Sequence, residues 1–195
     1  DFDYDDVNDL GRRINAIGKV LGSSAQAEQY DFVIWISSKP WIEEVDVQSD
    51  SWARSALERQ GLSDYISETV GRGPQNLLAI SSDAHMLAFD DGTNTYYGKS
   101  NEATPSFPIL QSGPLDRMGD AKGGPFTEGC FATDLQRNHQ YSTLSFEFPD
   151  PSDEQHESTE EACLTIRAYS VERHKDEIFS KTLCGAIFQP SEKDV

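Results

Sequence analysis

In the stretch from Leu77 to Met86 an apolar run, Leu77 to Ile80, stops at Ser81-Ser82, and Asp83 and His85 follow on either side of Ala84. A carboxylate oxygen and an imidazole nitrogen on one turn suit a divalent metal such as zinc, manganese or iron. A short buried strand followed by a tight turn would present both side chains at the strand's C-terminal edge, where open α/β sheets bind ligands. The same residues also read as a capping Asp beside a His with its hydrogen bonds satisfied. D-x-H alone does not separate the two. Arg59, beside Glu58, reads first as a surface ion pair, although a guanidinium also matches phosphate geometry. Lys122-Gly123-Gly124 lacks the order of a phosphate-binding glycine loop and reads as a turn-rich loop near the site. His139, His156 and His174 read as surface residues, and Trp35, Trp41 and Trp52 as core or rim aromatics.

The elements that must position Asp83 and His85 follow from periodicity. Leu10, Ile14, Ile17 and Leu21 predict a helix over about Asn8 to Gln29. Phe32 to Ile36 is a continuous apolar run, expected as a strand buried on both faces. Asp50 is expected to cap a helix from Ser51 to about Val70, with Ala53, Leu57, Tyr65 and Ile66 inward. Asn76 to Ser81 is the next strand. This strand-helix-strand spacing is that of a βαβ unit, hence an α/β core. Met86 to Phe89 and Tyr96 to Gly98 flank a hairpin-like turn at Asp90 to Asn94. Phe107 to Gln111 is another strand, and Ser112 to Glu128 a long loop rich in Gly and Pro. Tyr141 to Phe148 and Ala162 to Val171 alternate as one-sided antiparallel strands, with Leu144, Phe146 and Phe148 sharing a face, and Leu164, Ile166 and Ala168 inward. Residues 149–161 read as an acidic surface loop.

Composition narrows the partners. The chain has 195 residues, 36% hydrophobic and 10% aromatic, enough for one domain with a real core. Its 34 acidic and 16 basic residues give a formal charge of -18. That field repels nucleic acid and anionic lipid, and repels anionic substrates unless a bound cation reverses the local sign. No run reaches the length of a membrane span. Cys130, Cys163 and Cys184 lack C-x-x-C spacing; one disulfide is compatible with them, and the compartment stays open. The first residue is Asp, not Met, which reads as a processed or truncated polypeptide.

Several segments together resemble the PhoD-like (alkaline phosphatase D type) branch of the calcineurin-like metallophosphoesterases. Leu77 to His85 resembles an apolar strand running into G-D-x-H, with Ser82 in place of the Gly. Asp50-Ser51-Trp52 and Glu58-Arg59 resemble the D-x-W and E-R pair of the preceding helix. Phe107-Pro108-Ile109-Leu110, Gly113-Pro114-Leu115-Asp116-Arg117 and Lys122-Gly123-Gly124-Pro125-Phe126 resemble F-P-V-L, A-P-L-D-R and K-G-G-P-Y, in family order. Asp1-Phe2-Asp3-Tyr4 with Val7-Asn8-Asp9-Leu10-Gly11 is similar to D-H-D-Y-G-x-N-D-x-G, with Phe2 where the family has a candidate general-acid His.

The resemblance implies one domain over residues 1–195, the C-terminal and apparently incomplete portion of a metallophosphoesterase-like α/β fold. That fold is a mixed β-sheet sandwich flanked by helices. It implies Asp83, His85 and Asp1 as metal ligands, two divalent or trivalent metal ions as cofactors and a phosphate-ester small molecule as substrate. The family's earliest metal motifs would lie before Asp1. Two function classes follow: a metal-dependent phosphomonoesterase or phosphodiesterase, or a non-catalytic pseudophosphatase acting as a binding or interaction protein.

Overall fold

The computed structural model describes residues 31–44, 48–70, 76–99, 107–131, 137–149, 161–170 and 176–185. The expected helix at Asn8 to Gln29, the residues Asp1, Phe2, His156 and His174, and most of the 149–161 loop lie outside them. The described strands are, in chain order, β1 (Val33–Ser37), β2 (Leu77–Ser81), β3 (Leu87–Asp90), β4 (Ile109–Gln111), β5 (Arg117–Met118), β6 (Glu128–Phe131), β7 (Arg137–Asn138), β8 (Gln140–Glu147), β9 (Cys163–Ser170) and β10 (Asp176–Cys184). A 3-10 turn at Trp52–Ser55 leads into the helix α1 (Ala56–Val70). The architecture is mixed α/β, mostly strands.

Five strands form one sheet in the order β1-β2-β4-β3-β6, three form a second in the order β10-β9-β8, and β5 pairs with β7 as a separate ribbon. β1, β2 and β4 are mutually parallel, with Val33 opposite Leu77 and Ala79 opposite Ile109. β3 runs antiparallel to both of its neighbours. The expected pairing of the two apolar runs around one helix is therefore present.

Alternation along the strands builds two cores. Leu77, Ala79 and Ile109 point to the α1 side, where they meet Leu62, Ile66, Trp41, Ile42 and Phe107. Leu78, Leu110, Leu87 and Phe89 meet Leu164, Ile166, Ala168 and Phe179 of the second sheet. The five-stranded sheet is thus covered on one face by α1 and on the other by β8 to β10, burying apolar side chains on both sides. Leu164, Ile166 and Ala168 are fully buried, as their alternation requires. Cys163 and Cys184 face each other across β9 and β10 and are joined by a disulfide.

Four local expectations are corrected. β1 is not buried on both faces: it closes the described sheet at one edge, and Ile36 is 77% exposed. Ser51, not Asp50, makes the helix cap, its Oγ accepting from Ala53 N, while Asp50 pairs with Lys39. α1 buries Arg59, Leu62, Ser63, Ile66 and Ser67, and Leu57 is 64% exposed. That i, i+3, i+4 face contains two serines and an arginine, so apolar counting misplaces it. Tyr96 to Gly98 form no strand. Ser63 Oγ accepts from Tyr97 N and Asp64 Oδ1 from Lys99 N, which draws the segment onto α1.

Candidate functional site

The C-terminal edge of the parallel strands gathers the chemistry. β2 ends at Ser81, and the chain turns through Asp83, Ala84 and His85 before β3. Asp83 has φ +75, in the left-handed region that Asp tolerates better than most residues. The turn is pinned from below: Ser81 Oγ donates to Gln111 Oε1 and Gln111 Nε2 to Ala84 O at 3.3 Å. Ser112 N donates to Ser81 O at 3.0 Å. These bonds bury Ser81 and Gln111 with their polar atoms satisfied, while Asp83 stays exposed and His85 half-buried.

The loop between β4 and β6 closes over this turn, as expected from the sequence. Asp120 N donates to His85 O at 3.1 Å. Lys122 Nζ lies 3.8 Å from Asp83 Oδ2, both side chains 38% exposed. Lys122 also lines a cavity of about 200 Å³ together with Pro40, Glu43, Ser49, Asp50 and Ser51. Two of the cavity's acids already have partners. Asp50 accepts from Lys39, which holds its carboxyl below the usual carboxylate value. Glu43 Oε2 accepts from Ser49 Oγ, which also bonds Ser51 Oγ at 2.8 Å.

The position of Lys122 is set by backbone contacts one and two residues on. Gly124 N donates to Ile42 O at 3.1 Å. A Cβ at Gly123, where φ is +75, would stand 2.0 Å from that same carbonyl, so glycine is the residue that lets the loop approach. The other side of Trp41-Ile42-Glu43 is held by Arg59, whose Nη1 donates to Trp41 O at 2.9 Å and to Glu43 O at 2.8 Å. The guanidinium carbon lies 3.7 Å from the Tyr97 ring centroid, and Tyr97 Oη accepts from Glu43 N at 3.1 Å. Arg59 is therefore neither a surface ion pair nor a phosphate-facing group. It is 1% exposed. Burial lowers its pKa, and Tyr97 and Glu43 oppose that shift.

The tryptophans sit behind this edge. Trp41 packs against Trp35, Trp52 and Phe107 with ring centroids 5.3 to 5.5 Å apart, and its Nε1 donates to Thr95 O at 2.8 Å. His139 lies outside the site, its Nε2 3.5 Å from Asp116 Oδ1.

The edge sets the Lys122 ammonium beside the Asp83 carboxylate, and the cavity that Lys122 lines has room for a small polar ligand. Sequence reasoning singled out Asp83 and His85, placed Lys122 only in a turn-rich loop near the site, and passed over Ser49 and the buried role of Arg59. The adjacent glycines at 123 and 124 were the available signal, since paired glycines beside a charged residue mark close backbone approach. Among the described residues no three His, Cys, Asp or Glu side chains gather in a way that could hold a metal ion. No helix among them is long and apolar enough to cross a membrane. No family model, curated protein or solved structure matches the chain.

Proposed function

We propose that the chain is part of a PhoD-like metallophosphoesterase domain and that its Asp83–His85 turn belongs to a site for metal-dependent hydrolysis of phosphomonoesters or phosphodiesters. The observation that carries the reading is this turn. It follows a buried parallel strand, leaves the sheet at its C-terminal edge, and is bordered by the loop containing Lys122. The quoted segments, in family order, give the turn its chemical class.

Among the described residues the donors do not by themselves fit a two-metal centre. Asp83 and His85 supply two, Asp1 lies outside the described residues, and the Asp83 carboxylate already faces an ammonium at 3.8 Å. With most of the coordination left to water, exchange is fast and occupancy low. This polypeptide is therefore expected to bind divalent or trivalent metal weakly and to hydrolyse phosphate esters negligibly. Phe2, standing where a proton donor is expected, removes a contribution typically worth ~100-fold or more.

The same Lys122–Asp83 contact favours a second reading: a non-catalytic binding or interaction protein in which an internal cation stands beside the carboxylate. The discriminating experiment is a phosphomonoester and phosphodiester assay on the purified chain with manganese, calcium, iron or zinc added. Negligible turnover agrees with the two-donor site. Robust metal-dependent turnover that His85→Ala abolishes would show that the site is complete and the expectation of inactivity wrong.

A further inference from the structure

We propose that Lys122 is the phosphate-contacting residue of this edge, with Asp83 as its resting counter-ion and the adjoining cavity as the place where the oxyanion sits. The inference rests on reading the edge as a phosphate-ester site, but it requires no metal.

Lys122 is the only cation among the six residues lining the cavity. The neighbouring Asp50 is neutralised by Lys39, and Glu43 accepts from Ser49. Glu43 keeps its negative charge, so within the lining the Lys122 ammonium attracts an anion and Glu43 opposes it. Its separation from Asp83, 3.8 Å, is that of an ion pair without a short hydrogen bond. With both side chains 38% exposed, the pair is worth little in stability. Exchanging Asp83 for a ligand oxygen therefore costs little.

The backbone beside Lys122 is tied down, and its side chain is partly exposed. Gly124 N on Ile42 O, and the contact of Gly123 with that carbonyl, hold the loop down beside Glu43. Arg59 and Tyr97 hold the same segment from the other side. A flexible four-carbon stem on an anchored base can swing between two acceptors with little loss of order. The cavity, about 200 Å³, has room for several waters. A tetrahedral oxyanion entering it would displace several of them.

The ligand class is a phosphate group, free or esterified. The chain's net charge of -18 opposes any anion, so binding should be weak and most visible at low ionic strength.

The test is titration of inorganic phosphate into the full chain, treated with chelator, followed by heteronuclear NMR at low salt. Wild type should show saturable shifts in residues 120–124 and at Asp83. Lys122→Met should weaken binding by roughly tenfold, the loss of one charge-assisted bond. Lys122→Arg should retain most of it. Asp83→Asn should strengthen binding several-fold by removing both the competing acceptor and a like charge. Lys99→Met, which removes an exposed lysine outside the cavity, should leave it unchanged. The proposal is overturned if wild type shows no saturable binding, if Lys122→Met binds like wild type, or if Asp83→Asn brings no gain. Unfolding of Lys122→Met would show in its own spectrum, and the Arg and Asn variants then carry the decision. The metal reading is judged separately. Manganese binding that His85→Ala removes, without any effect of Lys122→Met on phosphate, sinks this inference and leaves that reading standing. Phosphate binding through Lys122 with no metal binding at the turn does the reverse.

Discussion

Replacing Arg59 by Met keeps most of the side-chain volume and removes the guanidinium. In the native protein Nη1 donates to both Trp41 O and Glu43 O, and the group stacks on Tyr97. Hydrogen bonds from a charged donor are each worth about 1.5–3 kcal/mol. The ring contact adds about 1 kcal/mol. Against these stands the cost of keeping a guanidinium out of water, several kcal/mol, which the variant recovers. The variant also strands two carbonyls, at about 1–3 kcal/mol each where they are buried. The balance is a net loss of about 2–4 kcal/mol, in the range for a broken buried network. Urea unfolding followed by tryptophan fluorescence reports it directly, because Trp41 is one of the two clamped residues. For a urea slope of about 2 kcal/mol/M, the midpoint should fall by roughly 1–2 M. Arg59→Lys should fall between the two, since one ammonium cannot serve both carbonyls and the ring with the same geometry. A Met variant within about 0.5 kcal/mol of wild type would behave like an ordinary surface substitution and would refute the clamp.

Three further predictions concern stability. Asp90 is fully buried and accepts from Gly92 N, Asn94 N, Asn94 Nδ2 and Thr127 N. Asp90→Ala should cost about 2–4 kcal/mol by chemical denaturation. Burial raises the Asp90 carboxyl above its ordinary 3.8, so the folded chain holds that proton more tightly than the unfolded one. Its contribution should make stability fall as pH rises from 3.8 through the raised native value, and Asp90→Asn should remove that slope. A slope unchanged in the Asn variant would assign it to other groups. Reducing Cys163–Cys184, a pair separated by 21 residues, should lower stability by roughly 3 kcal/mol through the loop it closes. Thermal melts with and without reductant, beside a thiol count that rises by two, check this. An unchanged melt on a fully reduced sample would contradict it.

The βαβ unit is legible in sequence because its signals are local and strong. Two apolar runs of strand length flank a helix-length segment, and only a parallel pairing around a crossover accommodates them. The inward set Leu164, Ile166 and Ala168 is legible for the same reason. Ile36 is apolar yet exposed, since periodicity does not say which strand closes a sheet. The buried face of α1 is hidden because Arg59 and Ser63 are polar by type, and become core residues only when Glu43 O, Trp41 O and Tyr97 N supply their bonds. Tyr96 to Gly98 look like half of a hairpin, but the Asp90 carboxylate ties the preceding turn to Thr127 and Asp64 draws the segment to α1. Asp83 and His85 stand out because an apolar strand stops at them. Lys122 does not, because its partner lies 39 positions away in the chain and meets it only through the folded loop.

The most direct test of the Asp83–His85 turn as a metal site is manganese binding measured by water-proton relaxation on wild type and on the Asp83→Asn, His85→Ala double variant. So acidic a chain will collect some manganese across its surface, and the difference between the two proteins isolates the turn. The account predicts one additional weak site in wild type, fast-exchanging and absent from the variant. Identical titrations of the two proteins would contradict it, and with it the assignment of this edge to a metal-dependent phosphoesterase.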